Sequence, residues 1–111
     1  MGFNMYFKDF HGYILDEAIY DLDLTIKLCK KQKDKICGLI VGYGSSNKSH
    51  KIKTAFLDIL EEKKNKKIIK DFICGEDLDI FSSKYLNFKY RDLIPESEKK
   101  IKNKRIIYLV L

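Results

Sequence analysis

Ile36-Cys37-Gly38-Leu39-Ile40-Val41-Gly42-Tyr43-Gly44-Ser45-Ser46-Asn47-Lys48-Ser49 is the stretch that decides the fold. Its first six residues form a short continuous apolar run, the pattern of a strand buried on both faces, as parallel strands under helices are. Gly42 to Ser49 then turns small and polar, and Ile52, Ala55, Phe56, Ile59 and Leu60 follow at helical spacing. Upstream, Met5 to Phe10 alternates as a first strand and is closed by His11-Gly12. Leu15, Ala18, Ile19, Leu22, Ile26 and Cys29 predict a helix, with Asp16 and Glu17 at its positive dipole end and Lys27, Lys30 and Lys31 at its negative end. Downstream, the second helix fades into Glu61 to Lys67, a third strand is predicted over Ile68 to Cys74, and a last strand over Arg105 to Leu111. The expected architecture is an α/β domain: a four-stranded mixed sheet with two main helices packed on it, in β-α-β-α-β-β order.

The stretch from Gly75 to Lys104 is too long to be structureless inside a compact domain. Leu78, Phe81, Tyr85 and Phe88 recur at helical spacing and predict one short helix over a sheet edge. Pro95 and the run from Glu96 to Lys104 read as an exposed loop before the final strand. With 111 residues, residues 1–111 are expected to form a single domain, large enough for its own core. Hydrophobic residues at 45% and aromatics at 13% exclude a disordered chain. No apolar run approaches the ~20 residues that cross a bilayer, and the first residues lack a secretory signal pattern, so a cytoplasmic protein without a membrane partner is expected. Cys29, Cys37 and Cys74 form no CxxC pair and read as buried reduced thiols.

The net charge of +6 is unevenly placed. Residues 1–29 carry two lysines against five carboxylates, residues 30–70 twelve lysines against four, and residues 71–111 eight basic against seven acidic side chains. A basic middle third fits a polyanion, most simply nucleic acid. The Gly42 loop is the natural place to look. Leaving a buried strand and entering a helix, its backbone N–H groups and the helix N-terminus can converge on an anion. Gly42 and Gly44 let the backbone approach a phosphate, Ser45, Ser46, Asn47 and Ser49 add short donors, and Lys48, Lys51 and Lys53 add charge. The ordinary alternative is a strand-to-helix turn capped by Ser49. Neither G-x-G-x-x-G nor the P-loop pattern is complete, so no nucleotide triphosphate is expected as partner or substrate. Asp9 and His11 alternate onto the same side at the end of the first strand, where open α/β sheets bind ligands. A carboxylate beside an imidazole can orient it for general acid/base work; the plainer reading is a histidine capping a strand end.

These residues carry a resemblance. Lys8-Asp9-Phe10-His11-Gly12, followed by Tyr13 to Ala18, resembles the L-D-L-H-G-x-x-x-x-E-A opening of the Smr (small MutS-related) domain. Val41-Gly42-Tyr43-Gly44 is similar to that family's second signature, H-G-x-G, and Lys51 to Ala55 to the helix after it. Lys8 stands where the first motif has Leu, and Val41 where the second has His; His50, at the helix start, is the other imidazole available. The resemblance implies an α/β two-layer sandwich, nucleic-acid binding and, in many members, endonuclease activity: DNA nicking, as in DNA repair, or RNA cleavage. It implies Asp9 and His11 as the catalytic pair and Gly42 and Gly44 as the glycine motif. On this reading Lys48, Lys51, Lys53 and the loop amides hold the phosphate, and Tyr43 stacks on an unpaired base. Asp9 orients His11 or recruits Mg²⁺ or Mn²⁺. The alternatives are a non-catalytic nucleic-acid- or ribosome-binding module and a protein-interaction domain built on Phe81, Tyr85, Phe88 and Tyr90.

Overall fold

The computed structural model describes residues 5–42 and 47–111, with side chains from Lys51 onward in the second part. The strands are β1 (Tyr6–Asp9), β2 (Ile36–Ile40), β3 (Asp71–Cys74) and β4 (Ile106–Val110). The helices are α1 (Leu15–Lys31), α2 (Asn47–Asn65), α3 (Ser83–Asn87) and α4 (Glu96–Ile101), with 3₁₀ turns at Gly75–Asp77 and Arg91–Leu93. The sheet order is β1-β2-β4-β3; β1 and β2 are parallel, and β4 runs antiparallel to both of its neighbours. The mixed sheet and the two main helices are those that the apolar run and the two helical spacings predict.

This topology gives the sheet two poles. Because β1, β2 and β3 all point one way, their carboxyl ends share one pole with the start of β4. Their amino ends share the other with the end of β4, and there α1 and α2 hand the chain back to the sheet.

The register explains why two layers of cover are needed. Cys37 and Leu39 of β2 stand beside Leu109 and Ile107 of β4 and face Ala18, Leu22, Ile26, Phe56 and Leu60 of the two helices. The opposite face of the same strands presents Ile36, Ile106, Tyr108 and Val110. Both strands are apolar at every position, so one helical layer leaves half of their side chains wet, at roughly 1.5–3 kcal/mol for each large one. Residues 75–104 supply the second cover. Leu78, Phe88 and Ile94 close on Ile73, Tyr108 and Val110. The segment therefore lies across the second face rather than over an edge. Where one helix and an exposed loop are expected, it makes α3, α4 and two 3₁₀ turns, and Phe81 is left 86% exposed. β1, at the edge, has no such cover, and its Phe7 and Asp9 are exposed.

Two further boundaries differ from the reading of the sequence. α2 begins at Asn47, so Asn47, Lys48 and Ser49 form its first turn and not a loop. β3 is shorter than predicted because Ile68 is held in the end of α2, its N–H donating to Lys63 O at 2.9 Å.

α1 and α2 end in the same way. At α1, Lys33 N–H donates to Lys30 O and Asp34 N–H to Cys29 O, at 3.1 and 2.9 Å. At α2, Lys67 N–H donates to Lys64 O and Ile68 N–H to Lys63 O, at 3.0 and 2.9 Å. Each is a Schellman motif whose left-handed residue, normally Gly, is a lysine: φ is 63° at Lys33 and 62° at Lys67.

Candidate functional site at the carboxyl pole

β1 leaves the sheet through a tight turn fixed from both sides. Phe10 N–H donates to Ile40 O at 2.9 Å and Tyr13 N–H to Phe10 O at 3.1 Å, while Gly12 takes φ +83°, which glycine adopts without a Cβ clash. Phe10 is buried edge-to-face against Phe56 of α2 and Tyr13, with ring centroids 4.9 and 5.4 Å away. The next residue, His11, is thereby presented to solvent on a rigid base.

Asp9 Oδ1 accepts the backbone N–H of His11 at 2.8 Å. The carboxylate shapes the turn, and its hydrogen bond runs to the backbone of His11, not to the ring. The register sets Asp9 beside Ile40 and Ile106, on the face of the sheet away from α1 and α2. The sequence reading pairs the carboxylate with the imidazole; in the structure its partner is the His11 backbone N–H.

Parallel pairing carries β2 out beside this turn. Val41 is buried among the helix-side core residues, with its N–H donating to Arg105 O at 2.7 Å. The position that the resemblance gives to a histidine is thus a packing position here. Gly42 follows at φ +86°. Tyr43, Gly44, Ser45 and Ser46 lie outside the described residues. Asn47, Lys48, Ser49 and His50 are described only as the helical backbone of α2's first turn. Lys51, one turn on, is exposed.

Lys53 behaves differently from the expected phosphate ligand. Its side chain is only 15% exposed, forms an ion pair with Glu76, and donates to Lys104 O at 3.2 Å. It ties α2 to the exit of β3 and the entry of β4. Close packing of Gly75 against Asn103 completes that junction, since a Cβ on Gly75 would overlap the Asn103 carbonyl. Two basic residues that the sequence reading passes over do reach this pole. Lys104 and Arg105 are exposed, and the pairing of Ile40 with Ile106 sets Arg105 next to Val41. Their signal is a basic pair just before the last strand; what a sequence does not display is that this strand lies beside β2.

Lys8 occupies the place where the resemblance has an apolar residue, and the structure accommodates it with a local charge pair. Its ammonium lies 2.9 Å from Asp21 Oδ2, which also accepts the Tyr13 hydroxyl at 2.7 Å. These hydrogen bonds hold the Asp21 carboxyl below the usual carboxylate range and push the Lys8 ammonium up.

The donor set for a metal is thin. Among the described residues no group of three or more His, Cys, Asp or Glu side chains could hold an ion, and Asp9 already serves a backbone N–H. Cys74, at the end of β3, is buried and free, and burial pushes its thiol up to about 11, so it is protonated and inert at neutral pH.

Fold and site together define a mixed-sheet α/β domain in which two parallel strand ends and the start of a helix open onto one pole. No family model, curated protein or solved structure matches the chain. Among the described residues no helix is long and apolar enough to cross a membrane.

Proposed function

We propose that the protein is a nucleic-acid-binding domain, similar in design to an Smr domain, that engages a phosphodiester at the carboxyl pole and cleaves it with His11. The observation that carries this reading is the parallel pairing of β1 with β2, Asp9 opposite Ile40, which sets the His11 turn beside Gly42 and the approach to α2. A phosphate there meets the N-terminal end of α2 and the charges of Lys51, Lys104 and Arg105, with His11 exposed alongside.

The chemistry that one imidazole can begin unaided is transesterification of RNA. His11 takes the proton of a 2′-hydroxyl, the 2′-oxygen attacks phosphorus, and the P–O5′ bond breaks. The departing 5′-oxygen is protonated by the imidazolium, leaving a 2′,3′-cyclic phosphate and a 5′-hydroxyl. Asp9 acts in this scheme as a positioning residue through the His11 backbone. This route asks for no bound metal, so cleavage of RNA by it should persist in the presence of a chelator. Incubation with single-stranded RNA and with supercoiled DNA, with and without Mn²⁺ and EDTA, tests the assignment. Cyclic-phosphate ends from RNA, lost in His11→Ala with binding retained, are the expected result. Binding without cleavage of either substrate would leave the non-catalytic nucleic-acid-binding module as the function.

Of the residues offered for a protein interaction, Phe81 is exposed and the other three pack on the second face. Phe88 is buried on the second face, with Tyr90 edge-to-face against it at 5.9 Å and Tyr85 packed beside that cluster.

A further inference from the structure

The concentration of charge noted in residues 30–70 does not sit mainly at the carboxyl pole. The ends of α1 and α2 deliver it to the opposite one. There Lys30 and Lys33 from the end of α1, Lys35 before β2, and Lys67 and Lys70 between α2 and β3 rim an open groove of about 430 Å³. Ile68, Ile69 and Leu111 contribute its apolar lining, and Asp34 is the single acidic side chain among the lining residues, with its Oδ2 buried.

The lysines here differ from those elsewhere. Lys53, Lys63, Lys64, Lys66 and Lys102 each face a carboxylate. None of the five rim lysines makes an ion pair among the described residues, and Asp34 is the one acidic side chain set among them. Two of them, Lys33 and Lys67, hold left-handed backbone positions that glycine adopts more readily than a residue with a side chain.

The chemistry of this pole also says what kind of anion it suits. Both helices present their C-terminal ends here, so backbone carbonyls, not N–H groups, point outward. A single small phosphate would find no amide cradle and an unfavourable dipole. Charges on long flexible stems, spaced around an open groove, instead match a ligand that offers several phosphates in a row. No arginine takes part, so the contacts are point charges on a backbone and not bidentate reading of bases.

We propose that this groove is a second phosphate-binding surface, which takes the backbone of a nucleic acid independently of any chemistry at the carboxyl pole. The test uses the full chain, a labelled single-stranded RNA and a labelled DNA duplex, with affinity measured across a salt series. Lys33→Gly combined with Lys67→Gly removes two charges while relieving two left-handed side chains, so a folding defect cannot mimic the result. This variant should melt no lower than the parent and bind about tenfold more weakly at low salt. Its log–log salt slope should fall by about 0.7 per lysine on the single strand and about 0.9 on the duplex. Lys35→Gln combined with Lys70→Gln should act in the same direction. Affinity within twofold of the parent and an unchanged slope in both double variants would overturn the proposal. So would binding to phosphatidylserine vesicles with no affinity for either nucleic acid. Loss of binding in Lys51→Gln with Lys104→Gln, but not in the groove variants, would defeat this inference and leave the carboxyl-pole reading standing; the reverse pattern would defeat that reading and leave the groove.

Discussion

The two poles of the sheet are built from the same pair of β-α units, yet they differ in what they offer a ligand. The carboxyl pole has backbone geometry: a strand-end turn held by Asp9, a left-handed Gly42 and the N-terminal end of a long helix. Lys53, largely buried there, is spent on holding the pole together. The amino pole has helix C-termini and a left-handed lysine at each, with ammonium groups that make no ion pair among the described residues. On the proposed reading one pole takes a reacting phosphate, the other a long anion that needs only to be held. Net charge along a sequence does not distinguish them; the direction of the strands does.

The largest expected effect strikes both poles at once. Phe56 is fully buried and packs edge-to-face on Phe10, so Phe56→Ala should cost about 3–5 kcal/mol in denaturant unfolding and weaken binding at each pole alike. A variant that stayed folded yet lost binding at one pole only would show that the core does not couple them. His11→Ala should separate the poles: cleavage falls at least about a hundredfold, while RNA affinity stays within twofold. Retained cleavage would remove His11 from the chemistry. Gly75→Ala pushes a Cβ into the Asn103 carbonyl and should cost about 1–3 kcal/mol. The loss should come with disturbance of the Lys53 junction, seen as chemical-shift changes at the carboxyl pole and none at Lys33 or Lys67.

The smallest effect is a dependence on pH. Asp21 is held below the usual carboxylate range by Lys8 and Tyr13, so it contributes stability above its unfolded pKa, and that contribution disappears as pH falls through the folded value. The pair is partly exposed, so Asp21→Asn should lower unfolding free energy by no more than about 1 kcal/mol at neutral pH. Once the pH falls below that folded value, the parent and variant should converge. Equal differences at both pH values would mean that packing, not charge, sets the effect.

How much of this was legible depends on distance along the chain. The apolar run of β2 and the helical spacing on either side of it give the β-α-β-α core directly, because each signal is local. The central place of β4 was not legible, since strand order is a long-range choice. Without it Lys104 and Arg105 could not be assigned to the site. The elements between Gly75 and Lys104 are six residues or shorter, too brief for periodicity to tell a helix from a loop. Asn47-Lys48-Ser49 reads as loop because its three residues are all polar, which local pattern does not separate from a polar first turn of a helix. The Asp9–His11 pair was visible as a spacing, but a carboxylate two residues before an N–H closes a turn as readily as it orients a ring.

Mapping backbone amide shifts in a titration with a short single-stranded RNA tests the two-pole account most directly. The account predicts two separate sets of perturbed amides, one at His11, Gly12 and Gly42, the other at Lys33, Lys35, Lys67 and Lys70, with the second set fading first as salt is raised. Perturbations confined to the exposed surface around Phe81, with both poles silent, would contradict it.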